Sequence, residues 1–339
     1  MLIRFHTLFT FDEEMKLISK ILTNSQLNEI KQLRFSILPH PEILWSLPRF
    51  LFDHFIFPDY NLVPKLNPHF ELQNYFQKYI DKGPSTIKTA ELLEKFLLKF
   101  EKNYDLQVLH LKLSSWLQFG DDILNIVCEI IWKIGFNLRE LDLFLCGKGL
   151  TDFGIEHLCK TILEIKNKKL IALSLGFDVR TRNITDHGLQ KIAETILSLS
   201  EFCYLKSISL CFISENISDF GLWCLGQAIH KIAHRLNNLV LMFGATNLVT
   251  DKGVIDLLDP ILRKVKDMKA LSLGFFAYQL NYYATDVIQN LVEDFESLES
   301  FNFMYSNKGS RNSKREEEMK FKIARKGKVK KMDIVIYLE

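Results

Sequence analysis

The chain has 339 residues, 47% of them hydrophobic and 25% charged, and its 43 Lys and Arg against 41 Asp and Glu leave a formal net charge of +2. So near-neutral a balance makes no global case for nucleic acid or an anionic membrane as partner, while the apolar content is ample for two ordinary domains or one elongated repeat array. Asp12, Glu13 and Glu14 directly follow the apolar start, which argues against a cleaved leader, and Pro48, Arg49 and Asp53 cut the longest apolar stretch, so no membrane span is expected.

In chain order, LIRF (2–5) and IKQLRF (30–35) read as short strands with a helix, FDEEMKLISKIL, between them. Residues 36 to 86 are irregular and carry seven of the eight prolines. A degenerate repeat has room near Phe70 and Leu72, ahead of a helix at 87–101. From residue 106 a strand phrase of the form L-x-x-L-x-L recurs seven times, opening at Leu106, Leu138, Leu170, Leu205, Leu236, Met268 and Leu298. The intervals are 32, 32, 35, 31, 32 and 30 residues, the mark of a solenoid whose units bury their faces only against neighbours.

Between the strands a second phrase recurs, as NITDHGLQKIAETILSLS (183–200) and NISDFGLWCLGQAIHKIA (216–233), with related copies from Gly149 and Asn247. Leu189, Ile192, Ile196 and Leu199 form one apolar stripe at helical spacing, and Leu222, Leu225, Ile229 and Ile232 form another. Thr185-Asp186 and Ser218-Asp219 read as caps that satisfy amides of the first turn and favour its positive end. MDIVIY (332–337) reads as a last strand matching LESFNF at Met332, Val335 and Tyr337.

This alternation resembles the leucine-rich repeat family, most closely its ribonuclease-inhibitor-like subclass, over roughly residues 104 to 303. The resemblance implies an α/β solenoid of strand–loop–helix repeats, with a curved parallel sheet on the concave side and helices on the convex side. Residues 1–103 would be degenerate repeats with a proline-rich insertion, 104–306 the solenoid, and 307–339 a basic capping segment with the last strand. The family expects Asn or Cys three residues after the last strand Leu. Cys146 meets this, but Ser114, Asp178, Ile213, Gly244 and Phe276 stand at the equivalent places, and Asn183, Asn216 and Asn247 come later, before the helix. That puts the usual Asn ladder in doubt.

No chemistry-bearing constellation emerges. The six cysteines show no CxxC pair and read as reduced, buried thiols of a reducing compartment. LCGKGLTD (145–152) lacks phosphate-loop spacing, and HExxH is absent among the scattered histidines. Asn183 and Asn216 stand in N-glycosylation acceptors, but capping already requires their Thr and Ser. No catalytic residue, cofactor, metal or small-molecule substrate is therefore expected. ILPHPEILWSLPRFLF (37–52) has a faint likeness to an F-box, interrupted by Pro48. Residues 308–331 carry eleven Lys and Arg against three Glu, a balance of 11 − 3 = +8, which suits an acidic protein surface or nucleic acid but equally a solvated end cap.

The expected function is non-catalytic protein binding within a larger assembly. Its rivals are the substrate receptor of a ubiquitin ligase, through 37–52, and an RNA-associated protein, through the basic segment. Lys-, Asn-, Ile- and Phe-rich usage suggests an AT-rich genome, where proteins resembling this one join large cytoplasmic assemblies, cytoskeletal or ciliary ones included. Strand alternation places two columns on the concave face. One is His110, Asp142, Ser174, Ser209, Val240, Ser272 and Asn302; the next is Lys112, Phe144, Gly176, Cys211, Met242, Gly274 and Met304. The second reads as an open apolar trough, and Asp142, Phe144, Ser209, Cys211, Val240, Met242, Asn302 and Met304 are the expected partner contacts.

Overall fold

The computed structural model describes residues 2–7, 32–37, 106–114, 120–147, 149–165, 167–178, 183–265, 267–293, 295, 297–306, 329 and 331–337. Its elements in chain order are β1 (Leu2–Thr7), β2 (Gln32–Ile37), β3 (Val108–Ser114), α1 (Asp121–Ile134), β4 (Glu140–Cys146), α2 (Asp152–Glu164), β5 (Ala172–Asp178) and α3 (Asp186–Phe202). Then come β6 (Ser207–Ile213), α4 (Asp219–Ile232), β7 (Asn238–Thr250), α5 (Asp251–Leu262), β8 (Ala270–Gln279), α6 (Tyr282–Glu293), β9 (Ser300–Ser306) and β10 (Lys331–Tyr337). The ten described strands pair in chain order in one sheet, and every pair is parallel.

Parallel neighbours need a crossover, and each of the six crossovers from β3 to β9 contains a helix. The register carries the strand leucines into two rows. One runs Leu109, Leu141, Leu173, Ile208, Leu239, Leu271, Phe301, and the other Leu111, Leu143, Leu175, Leu210, Leu241, Leu273, Phe303. Both rows are at most 2% exposed and belong to one core with the helix stripes, including Leu189, Ile192, Ile196, Leu199, Leu222, Leu225, Ile229 and Ile232. Each such aliphatic side chain removed from water contributes about 1.5–3 kcal/mol. A third row adds a stack of rings, Phe177, Phe212, Phe243, Phe275 and Tyr305, with successive centroids 5.6, 6.0, 6.0 and 6.4 Å apart.

The register adjusts the expected organisation at both ends. Strands stand where LIRF and IKQLRF were read, and β2 pairs directly with β3, so no further strand enters the sheet between them. At the other end Met332 lies opposite Phe301 and Ile334 opposite Phe303, with Ile334 fully buried. The expected match of Val335 and Tyr337 to the inward positions is therefore wrong by one face. Asp333 shares its alternation with Val335 and Tyr337 and lies opposite Asn302, so the polar residue marks that face as the one turned from the core. The helices read at 11–22 and 87–101, the stretch near Phe70, all but Ile37 of the segment 37–52 and all but Val329 and Lys331 of the basic run 308–331 lie outside the described residues.

An Asp ladder, rather than an Asn ladder, joins the repeats. The Asp opening each helix reaches about one repeat ahead. Asp121 accepts hydrogen bonds from the backbone N–H of Thr151 (2.9 Å) and its hydroxyl (2.5 Å); Asp152 accepts the same pair from Thr185 (2.9 and 2.6 Å). Asp186 does so with Ser218, and Asp219 with Thr250 (2.8 and 2.7 Å). The Thr or Ser in turn caps its own helix, as Thr151, Thr185 and Ser218 accept from the N–H groups of Phe153, His187 and Phe220. The same hydroxyl oxygen donates to the carboxylate and accepts from the helix N–H, which an ionised Asp cannot do and Asn could do only through two separate atoms. Thus the expected caps are present, but Asp186 and Asp219 serve the following repeat instead of their own helix.

The ladder ends differently. Asn281 donates its N–H to Asp251 (2.9 Å) and caps α6 through Tyr283. The hydroxyl donor of the last rung comes from Tyr305 on β9, 2.5 Å from Asp251. Burial, then the hydrogen bond and charge of Asp251, push the Tyr305 phenol above its ordinary range.

Candidate protein-binding surface

The face turned away from the helices carries both expected columns, each in continuous register. Asp142 lies beside Ser174, then Ser209, Val240, Ser272 and Asn302; Phe144 lies beside Gly176, then Cys211, Met242, Gly274 and Met304. Sequence alternation thus groups the candidate residues as the structure does.

The expectation of an open trough fails. Phe144, Cys211, Met242 and Met304 are 5%, 1%, 1% and 4% exposed, although none of them belongs to the core between sheet and helices. The alternation of large and small residues has a packing cause. A Cβ at position 176 would overlap the Phe144 ring, and one at 274 would stand 2.6 Å from the Met242 methyl carbon. The large side chains therefore lie across the glycines of the next strand and fill the space that an open groove would need. Substitutions at these four positions would read out packing as much as contact.

The first column is the more accessible at one end. Asp142, Ser174, Ser209 and Val240 are half-buried, whereas Ser272 and Asn302 are 5% and 3% exposed. His110 begins the column, with its ring nitrogens 3.5 Å from Glu140 and 3.7 Å from Asp142. The surface therefore runs from an acidic, imidazole-bearing corner through hydroxyls to a buried amide.

Among the described residues no group of three or more His, Cys, Asp or Glu side chains is arranged to hold a metal ion. Cys128, Cys159, Cys203, Cys211 and Cys224 are free thiols. Burial pushes Cys128 and Cys203 up to about 11 and Cys159 up to about 12, from the ordinary 9.0. A rise of two units cuts the thiolate fraction at pH 8 about 100-fold, so these thiols should alkylate at least that much more slowly than in the unfolded chain. Iodoacetamide labelling with peptide mapping measures this, and labelling at the unfolded rate would contradict the packing. Because folding raises these values, their contribution to stability is intact below pH 9 and is lost as pH climbs through 11 to 12.

Sequence reasoning missed Arg139, Lys168, Lys169 and Lys206. They come from three successive helix-to-strand connections along one edge of the array, where Arg139, Lys168 and Lys169 line one cleft. Among the described residues no helix is long and apolar enough to cross a membrane. A scan against protein-family models finds no match for the chain, and a search of curated proteins likewise finds none.

Proposed function

We propose that the protein is a non-catalytic protein-binding scaffold, a leucine-rich repeat solenoid of the ribonuclease-inhibitor-like kind that works inside a larger cytoplasmic assembly. The observation that carries this reading is the single parallel sheet, whose strands succeed one another in chain order with a helix behind each repeat from β4 to β8. Helix axes pack about 8–10 Å apart and strands about 4.8 Å, so helices behind the strands bend such a sheet with its free face concave. A long bent surface of repeated units suits partner capture. Asp142, Ser209 and Val240 are the half-buried contacts on that face; Asn302, Phe144, Cys211, Met242 and Met304 form the packed floor that holds them in place. Buried free thiols support a reducing compartment. The ligase and RNA readings rest on segments 37–52 and 308–331, and no observation on the described residues favours either.

A photo-crosslinking amino acid at Ser209 or Val240, installed in cells that make the protein, should trap one discrete protein. The same group at Lys160 on the helical face, 72% exposed, should not. Equal crosslinks from all three positions, or crosslinks to RNA alone, would overturn the proposal.

A further inference from the structure

The edge where helices hand over to strands is basic. Arg139, Lys206 and Lys269 each follow a buried Leu138, Leu205 or Met268, and the backbone between them is laced together. Arg139 donates to the Gln107 carbonyl (2.6 Å), Ile171 to Arg139 (2.9 Å), Lys206 to Ile171 (2.8 Å) and Lys269 to Asn237 (2.7 Å). Cations in a last helical turn, such as Lys133 and Lys231, are explained by the negative end of the helix. Arg139, Lys168, Lys169 and Lys206 come after the helices end. They are exposed, and among the described residues no carboxylate lies within ion-pair distance of them.

Three of these cations converge. Gln107, Asn137, Arg139, Lys168, Lys169 and Tyr204 line an open cleft of about 520 Å³ that no carboxylate of the described residues lines. The cleft has a fixed frame. Asn167, 2% exposed, donates to the carbonyls of Gly135 (2.7 Å) and Leu138 (2.6 Å) and accepts from the Lys169 N–H (2.8 Å), so the Lys168-Lys169 turn is tied to the preceding repeat. Tyr204, 55% exposed, has the Lys206 ammonium 5.8 Å and the Arg235 guanidinium 5.2 Å from its ring centroid. Arg235 Nε is buried without a hydrogen-bond acceptor. Several like charges are thus held together with no carboxylate beside them among the described residues.

We propose that this cleft binds an acidic, extended segment of a partner protein, which rests on the reading of the molecule as a protein-binding scaffold and names the chemistry of one of its partners. Two features favour a peptide over a single-stranded nucleic acid. The Tyr204 ring already carries two cations and is not a free platform for stacking a base. Gln107 offers an amide group that pairs with a peptide backbone, while Asn137 holds the Lys169 ammonium in place through its Oδ1 (2.5 Å). The spacing agrees. Arg139 and Lys206 stand two strands apart, roughly 10 Å, and an extended polyproline-II-like segment returns to the same face every third residue, about 9 Å on. The preferred segment therefore carries Asp or Glu at every third position. Exposed ion pairs of this kind bind weakly and are screened by salt.

The test uses the full chain and a fluorescein-labelled peptide with Glu at every third position, with anisotropy read at low salt. The matched Gln peptide and a short oligouridylate serve as controls. The Glu peptide should bind and the Gln peptide should not. Lys168→Glu with Lys169→Glu, and separately Arg139→Glu, should weaken binding by about tenfold or more while circular dichroism stays unchanged. A variant with Lys326, Lys328 and Lys330 changed to Gln should bind as the parent does. Peptide affinity unmoved by the cleft variants, affinity lost only in the tail variant, or oligouridylate bound in preference and lost on cleft charge reversal would each overturn the assignment. Crosslinking from Ser209 and Val240 reports on the scaffold reading separately, so either idea can fail while the other stands.

Discussion

Asp186→Ala should lower the unfolding free energy by about 3 kcal/mol, well above the roughly 1 kcal/mol that an ordinary helix cap is worth. Its carboxylate accepts the backbone N–H and the hydroxyl of Ser218, in the next repeat. Hydrogen bonds to an ionised acceptor contribute about 1.5–3 kcal/mol each, and their part-buried setting places the sum near the lower end. The loss falls at the junction between repeats, and an array of this kind is held by its own units plus nearest-neighbour interfaces. The urea transition should therefore broaden as well as shift, because the two sides begin to unfold separately. Asp186→Asn keeps an acceptor for the N–H and should recover about half the loss. A loss near 1 kcal/mol with an unchanged transition slope would return Asp186 to a simple capping role.

What the sequence disclosed and what it hid divide along the range of the interaction. Leu189, Ile192, Ile196 and Leu199 are legible because a helix repeats every 3.6 residues, and Leu173 with Leu175 because a strand repeats every two. All are buried as read. The ladder left a visible trace, since Thr or Ser, Asp, any residue and Gly recur at 151–154, 185–188, 218–221 and 250–253. Capping explained the same letters locally, and only the fold shows that each Asp acts some 30 residues away. Phe144 and Met242 were placed on the right face and in the right column, yet read as exposed. Whether a large side chain stands up or lies across the next strand depends on who its register neighbour is, and Gly176 and Gly274 stand about one repeat away. The basic cleft left no trace, because its cations come from two connections that are each unremarkable alone.

The same constraint separates surface from structure on the two long edges of the array. Along the helix starts the acidic groups Asp121, Asp152, Asp186, Asp219 and Asp251 are consumed in hydrogen bonds between repeats. Along the helix ends, Arg139, Lys168 and Lys206 hold no such partner among the described residues. Charge count alone, at +2, conceals this asymmetry. Exposed cations without a carboxylate partner can serve an outside ligand, whereas the ladder acids are already engaged.

Gly221→Ala should be harmful in the parent chain and harmless or mildly stabilising once Asp186 is Ala. Alone, Gly inside a helix costs about 1 kcal/mol relative to Ala, so a neutral site would gain from the change. Position 221 is not neutral, because an added Cβ would overlap the Asp186 carboxylate and come within 3.2 Å of a Leu189 methyl. Both groups would have to move, and the carboxylate would leave its hydrogen bonds to Ser218. Overpacking of this kind costs about 1–3 kcal/mol before those bonds are counted, so Gly221→Ala should destabilise by about 2–4 kcal/mol. Removing the Asp186 carboxylate clears the space, and the helix-forming advantage of Ala then re-emerges. A double-mutant cycle in urea should therefore give a coupling of about 3 kcal/mol and a change of sign for the Gly221 step. Equal costs for Gly221→Ala in both backgrounds would show that glycine is kept there for the Leu189 contact, and that the carboxylate does not set the spacing between repeats.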